Sequence, residues 1–235
     1  MPTTSEVRAW YDHHYLTRGL QSMRPAQAYP RFLDLLGTRP NASLLDVSCG
    51  AGSLLAAAGE RHLDAVGIDL SHEAVRLARS VAPDALIAVA SGESLPFHSS
   101  TFDYVTCLGS LEHFLDMKRG LREMIRVAKP TATLCVMVPN DTFIGWTLRG
   151  RKGTAQQDVN EHLLDLSTWR HLFEESGLEI LRVTPDRWPA IKWRAMPGRR
   201  AWLTGPLLEA AWRLLPLRWQ YQFVFLLAPR NTDAE

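Results

Sequence analysis

Apolar residues in this chain follow two patterns, short continuous runs and longer stretches in which they recur every third or fourth position. The runs extend from Leu44 to Val47, Val66 to Leu70, Ala85 to Ala90, Phe102 to Leu108, Thr133 to Val138, Leu178 to Val183 and Tyr221 to Ala228. Bounded by turn residues and apolar on both faces, they predict buried strands. The recurring pattern predicts helices. Val7, Trp10, Tyr11, His14 and Tyr15 share one face, and Tyr29, Phe32, Leu33 and Leu36 share another. Ala74, Val75, Leu77 and Ala78 make a third face, Leu121, Met124, Ile125 and Ala128 a fourth, and Trp169, Leu172 and Phe173 a fifth. Strands that alternate with helices define an α/β chain.

Polar residues punctuate this pattern. Gly37 and Gly177 stop the helices before them, and Ser71 and Ser167 open the helices after them. Asp141 to Asn160 is polar and basic around Arg149, Arg151 and Lys152, which predicts a mobile loop. Residues 184–220 form an insertion far longer than an ordinary connection. It interleaves Trp188, Trp193, Trp202, Trp212 and Trp219 with arginines and Lys192, and Pro206 can start a helix with Leu207, Leu208, Ala211, Trp212 and Leu215 on one face. Two readings stand: a helical cap on the sheet edge, or a surface over 187–219 for a membrane interface, an anionic lipid-like substrate or a partner protein.

The chemistry is concentrated in Leu44-Leu45-Asp46-Val47-Ser48-Cys49-Gly50-Ala51-Gly52-Ser53, a strand that runs through a glycine loop into a helix. Such a loop exposes backbone N–H groups to a ligand. Asp69 closes the next strand about 20 residues on, where an acid can take ribose hydroxyls. No Gly-Lys-Ser or Gly-Lys-Thr follows the loop, which excludes a Walker cradle for ATP or GTP and leaves dinucleotides or S-adenosylmethionine.

The loop resembles the motif Asp/Glu-x-Gly-x-Gly-x-Gly of the class I S-adenosylmethionine-dependent methyltransferases, and stands here as Asp46-x-Ser48-x-Gly50-x-Gly52. Ser91-Gly92-Glu93-Ser94-Leu95-Pro96-Phe97 is similar to the family segment Gly-Asp-Ala-x-x-Leu-Pro-Phe. Lys129-Pro130-Thr131-Ala132 stands where the family has Lys-Pro-Gly-Gly, so a different turn or local strain is expected there. The resemblance covers roughly Ala42 to Val183. It implies a three-layer, doubly wound, seven-stranded sheet, mostly parallel with an antiparallel last strand, together with N-terminal lid helices and the helical insertion. The expected organisation is one domain over 1–235, with the lid in 1–40, the cofactor core in 42–183, the insertion in 184–220 and the terminal strand in 221–230.

The implied cofactor is S-adenosyl-L-methionine, and the implied activity is methyl transfer to a small-molecule or lipid-like acceptor. Asp46, Ser48, Cys49, Gly50 and Gly52 would hold the methionine portion, Asp69 and Leu70 the ribose, and Gly92, Glu93 and Ser94 the adenine. Tyr11, Leu108 and Gly109 would complete that site. His113 matches a histidine the family often carries after the fourth strand, and it reads either as a base or substrate contact or as a structural histidine. His14 and His162 are reserve candidates, and His13 a substrate contact. A cofactor-binding protein without turnover and a nicotinamide-dependent oxidoreductase are the rival readings.

Composition narrows the partners. At 235 residues, 46% hydrophobic and a net charge of +1, the chain has no global field for nucleic acid. Cys49, Cys107 and Cys135 lie in or beside core strands and read as reduced buried thiols, which fits a cytoplasmic protein; no Cys/His spacing suggests a metal site. Neither a signal pattern nor a long uncharged apolar run is visible.

Overall fold

The structure is a computed structural model that describes residues 2–22, 24–150, 153, 159–186, 210 and 214–230. Its strands are β1 (Ser43–Val47), β2 (Asp64–Asp69), β3 (Leu86–Val89), β4 (Phe102–Leu108), β5 (Ala128–Pro139), β6 (Leu178–Pro185) and β7 (Gln222–Pro229). They form one sheet in the order β3-β2-β1-β4-β5-β7-β6, with β7 antiparallel to both neighbours. The pairs among β1 to β5 are parallel. This is the seven-stranded arrangement expected, with the antiparallel last strand in place. Strand order reverses between β1 and β4, and ligands bind outside the carboxyl ends of strands at such a reversal.

The central runs are largely apolar because both faces of the sheet are covered there, whereas the edge strands β3 and β6 are partly exposed. Leu44, Tyr104, Cys135, Met137, Val224 and Leu226 pack on one side, against α2 (Pro30–Leu36), α3 (Ser53–Gly59) and α4 (His72–Val81). Leu45, Val105, Leu134, Val136, Val138, Phe223 and Phe225 pack on the other, against α5 (Met117–Val127) and α7 (Leu166–Glu175). Neighbouring residues of one strand thus serve opposite layers. The close approach of α3 to the sheet depends on Gly67, where a Cβ would stand 2.5 Å from Leu55 Cδ1.

The helix α1 (Thr4–Arg18) begins with a capping box between Thr3 and Glu6. Asp12 on α1 accepts from Ser71 Oγ at 2.6 Å and from the Glu73 amide, while Arg8 Nε donates to the Leu70 carbonyl. The lid helix is thereby fastened to the start of α4, directly beside Asp69.

Local expectations fare unevenly. Gly37 ends α2 in the left-handed conformation, and Ser71 caps α4 by accepting from the Ala74 amide. The helix expected to open at Ser167 is instead capped by Asp165, which accepts from the Thr168 amide and the Ser167 hydroxyl. Ala128, expected on a helix face, begins β5. No tight turn forms over Lys129 to Ala132. Extra residues in β5 bulge out between the pairs Phe102 with Ala128 and Tyr104 with Thr133, with no left-handed backbone at any of them. The expected loop after Asp141 contains a short helix, α6 (Ile144–Arg149), because Trp146 is buried and donates to the Asn140 carbonyl.

Arg151, Lys152 and most of the 184–220 insertion, including the Pro206 helix and nearly all of the 187–219 surface, lie outside the described residues. The insertion's end is fixed: Arg218 and Gln220 carbonyls accept from Asn140 Nδ2. Among the described residues no helix is long and apolar enough to cross a membrane.

Candidate active site

A cavity of about 240 Å³ opens at the carboxyl edge of the sheet, between β1, β2, β4 and the overlying α1. One end is built from backbone. Ser48 at φ 60° and Gly50 at φ 54° turn the chain sharply out of β1. A left-handed residue other than glycine costs roughly 1 kcal/mol, so Ser48 stores strain where the family motif has glycine. Asp69 secures the turn. One carboxyl oxygen accepts from the Gly50 amide and the other from the Ser71 amide, each at 2.9 Å. Both oxygens keep lone-pair capacity for a further donor. Burial, with a smaller contribution from the charge of Asp12, raises Asp69 to about 6 against these bonds.

Of the residues singled out in the sequence, Ser48, Gly50, Asp69 and Leu70 line this end, and Gly92 and Glu93 its side. Glu93 accepts from the Leu115 amide at 2.8 Å, which joins the loop after β3 to the loop after β4. Gly92 is needed for that closeness, since a Cβ there would stand 2.4 Å from the Phe114 ring. Tyr11, Leu108, Gly109 and His113 line the opposite end. Burial and the charges of Glu112, Asp69 and Glu161 push the Tyr11 phenol well above its ordinary value.

Other candidates stand outside the cavity. Asp46 is buried within the sheet, accepts from Thr106 Oγ1 at 2.7 Å, and is raised to about 7 chiefly by burial. The Cys49 thiol lies against Gly67 in the core, and all three cysteines are buried and unpaired. Gly52 serves helix packing, since a Cβ would stand 3.0 Å from Ala78. Ser94 is exposed. His14 stacks on Trp10, with ring centroids 5.1 Å apart, and the His162 amide donates to the Glu112 carbonyl.

His113 is held at the cavity wall by a cluster of bonds to a distant segment. Its Nδ1 meets the Asn160 carbonyl at 2.5 Å, and Asn160 Nδ2 donates to the His113 and Phe114 carbonyls. Sequence reasoning missed several cavity residues: Arg24, Met137 and Gln222. Arg24 pairs with Asp186 at 2.8 Å and donates to Gln222. Gln222 carried a signal, a polar residue heading an otherwise apolar strand; Arg24 carried none.

The donor set fits a nucleoside. Two acidic groups reach the cavity for hydroxyl or amino hydrogens, Tyr11, Tyr15 and Tyr29 supply aromatic surface, and Arg24 is the one Lys or Arg among the described lining residues. A fold with the order β3-β2-β1-β4-β5-β7-β6 and this loop-and-acid site is that of the class I S-adenosylmethionine-dependent methyltransferases. Residues 45–136 match the family model described as a methyltransferase domain, a match that supports this class.

Relatives agree. The chain is 30% identical over 136 residues to a demethylmenaquinone methyltransferase of Renibacterium salmoninarum, covering 56% of this chain and 57% of that protein. It is 31% identical over 136 residues to a ubiquinone biosynthesis O-methyltransferase of Hahella chejuensis, covering 53% and 54%. The chain spans about half the length of the curated relatives it matches. Among solved structures, the [4+2]-cyclase SpnF superposes with a TM-score of 0.68 at 21% identity over 97% of each chain, a likeness of fold.

Proposed function

We propose that this protein transfers a methyl group from S-adenosylmethionine to a small-molecule or lipid-like acceptor. The observation that carries the reading is the single cavity that runs from the Asp69 staple to His113, across the strand-order reversal. Asp69 would hold the ribose hydroxyls, the Ser48 to Gly50 turn the methionine portion, and Glu93 with the Gly92 backbone the adenine. The bound cofactor supplies an activated methyl group on a sulfonium. The chain's own task is then to align an acceptor and exclude water, and α1 is placed to do both by covering the cavity with Val7, Tyr11 and Tyr15. His113 stands where a proton could be received or an acceptor positioned.

The test is to incubate the purified protein with methyl-labelled S-adenosylmethionine and a panel of hydroxyl, amine, thiol and carboxylate acceptors. Label is expected on small aromatic or lipid-like acceptors. Tight cofactor binding with no label on any acceptor would favour the second reading, a cofactor-binding protein that does not methylate. That reading has one support: the [4+2]-cyclase SpnF shares this fold.

A further inference from the structure

Behind the cavity wall at Gly109 lie two buried polar atoms without partners. Oε2 of Glu112 and Nε2 of His113 are sealed from solvent and form no hydrogen bond. The Nδ1 of His113 faces the Asn160 carbonyl, so it carries a hydrogen, and in the tautomer this selects the free lone pair is on Nε2. Glu112 Oε1 lies 3.8 Å from that Nε2. This is too long for a bond, yet an atom about 2.8 Å from each would bridge them.

Gly109 brings this pair within reach of the cavity. At φ 72° it carries no side chain, and a Cβ there would stand 3.9 Å from Glu112 Oε1 and 3.1 Å from Met137 Cε. Gly109, Met137 and His113 all line the cavity. The nearest atom a side chain at Gly109 would meet thus belongs to the flexible Met137 side chain, and methionine adapts readily to a new neighbour. The charges nearby select the occupant. Asp69 and Glu93 line the same cavity, and Arg24 is already engaged by Asp186. An anionic acceptor would meet acids on several sides.

We propose that Glu112 and His113 form the acceptor subsite, which takes an uncharged acceptor whose nucleophilic oxygen or nitrogen carries a hydrogen. The proposal rests on the methyltransferase reading and names its substrate class. The acceptor's hydrogen occupies the gap between Oε1 and Nε2. As its oxygen or nitrogen bonds to the methyl carbon, the carbon–sulfur bond breaks with its electron pair going to sulfur, and the acceptor's proton passes to His113 Nε2. The resulting imidazolium lies beside the Glu112 carboxylate. Burial holds that carboxyl up at about 7, so it exchanges a proton near neutral pH.

The test is an NMR titration of the labelled full chain, following the Glu112 carboxyl and His113 imidazole signals, with phenol, aniline and benzoate as probes. Phenol or aniline should shift both sets of signals to saturation, and benzoate should not. A response to phenol alone assigns a hydroxyl acceptor, and a response to aniline alone an amine. Glu112→Gln should weaken the responding probe at least tenfold, and Glu112→Asp should recover part of the loss. Benzoate binding as well as phenol, binding indifferent to Glu112→Gln, or no response to phenol and aniline would each overturn the proposal. The titration of the unsubstituted chain decides the matter even if a variant fails to fold. Calorimetry with S-adenosylhomocysteine is run separately. Its failure to bind would remove the methyltransferase reading and leave the probe titration interpretable.

Discussion

At the Asp69 end of the cavity each carboxyl oxygen holds a backbone N–H, whereas at the Glu112 and His113 end two buried polar atoms hold nothing. The first end is made by neighbours in sequence: a glycine turn, the strand before it and an acid at the close of the next strand. The second is made by packing residues 110–114 against 160–162, far apart in the chain. A cofactor common to a class can be held by local backbone geometry, while an acceptor is recognised by surfaces that tertiary contacts bring together.

The largest expected effect comes from pH and acts at both ends. Asp46, Asp69 and Glu112 are raised by burial to about 7, about 6 and about 7. The folded protein therefore keeps protons that the unfolded chain releases near pH 4. These groups reduce stability progressively as pH rises from about 4 to 7, with little further change above. Asp103, held down to about 2 by the Lys129 ammonium and Ser43, works in the opposite direction and only below about pH 4. Urea unfolding of the ligand-free protein should give a midpoint about 1 M or more lower at pH 8 than at pH 5, since each pH unit over which one such group keeps its proton is worth about 1.4 kcal/mol. A midpoint that rises over this range would remove the raised carboxyls from the account.

Next in size is Asp69→Ala, which strands the Gly50 and Ser71 amides. It should cost about 2 kcal/mol of stability and weaken nucleoside binding about 30-fold, read by denaturation and calorimetry. Unaltered affinity would place the nucleoside elsewhere. Asn160→Ala breaks the bonds to the His113 and Phe114 carbonyls and should cost about 1 to 2 kcal/mol while sparing S-adenosylhomocysteine affinity. If it weakens that affinity as strongly as Asp69→Ala does, the two ends are not separable. Smallest is Ser48→Gly. It relieves a left-handed serine and should stabilise the fold by up to about 1 kcal/mol, less the greater freedom of glycine in the unfolded chain.

How far the sequence could be read follows the same division. The glycine loop, Asp69 and the Ser71 cap depend on residues close together, and their residue types announce the backbone they need. The terminal pair β6 and β7 was legible from apolar runs, and its antiparallel sense from the resemblance. In contrast, α6 was hidden because its stability comes from Trp146, which is buried and bonded to the Asn140 carbonyl rather than placed in a periodic stripe. The β5 bulge was hidden because Thr131 and Ala132 signal a turn only by comparison with the family, and an extended backbone suits both. Glu112 left one trace, an acid between Leu111 and His113, but its meaning depends on Gly109 lying beside it and on Asn160 holding the neighbouring His113.

The central claim is that the Asp69 end holds an S-adenosyl nucleoside. Calorimetric titration of the purified protein with S-adenosylmethionine, S-adenosylhomocysteine and NAD in parallel tests it most directly. The account predicts saturable binding of the two sulfur nucleosides, weakened about 30-fold by Asp69→Ala, and no binding of NAD. Binding of NAD alone, or of none of the three, would contradict it.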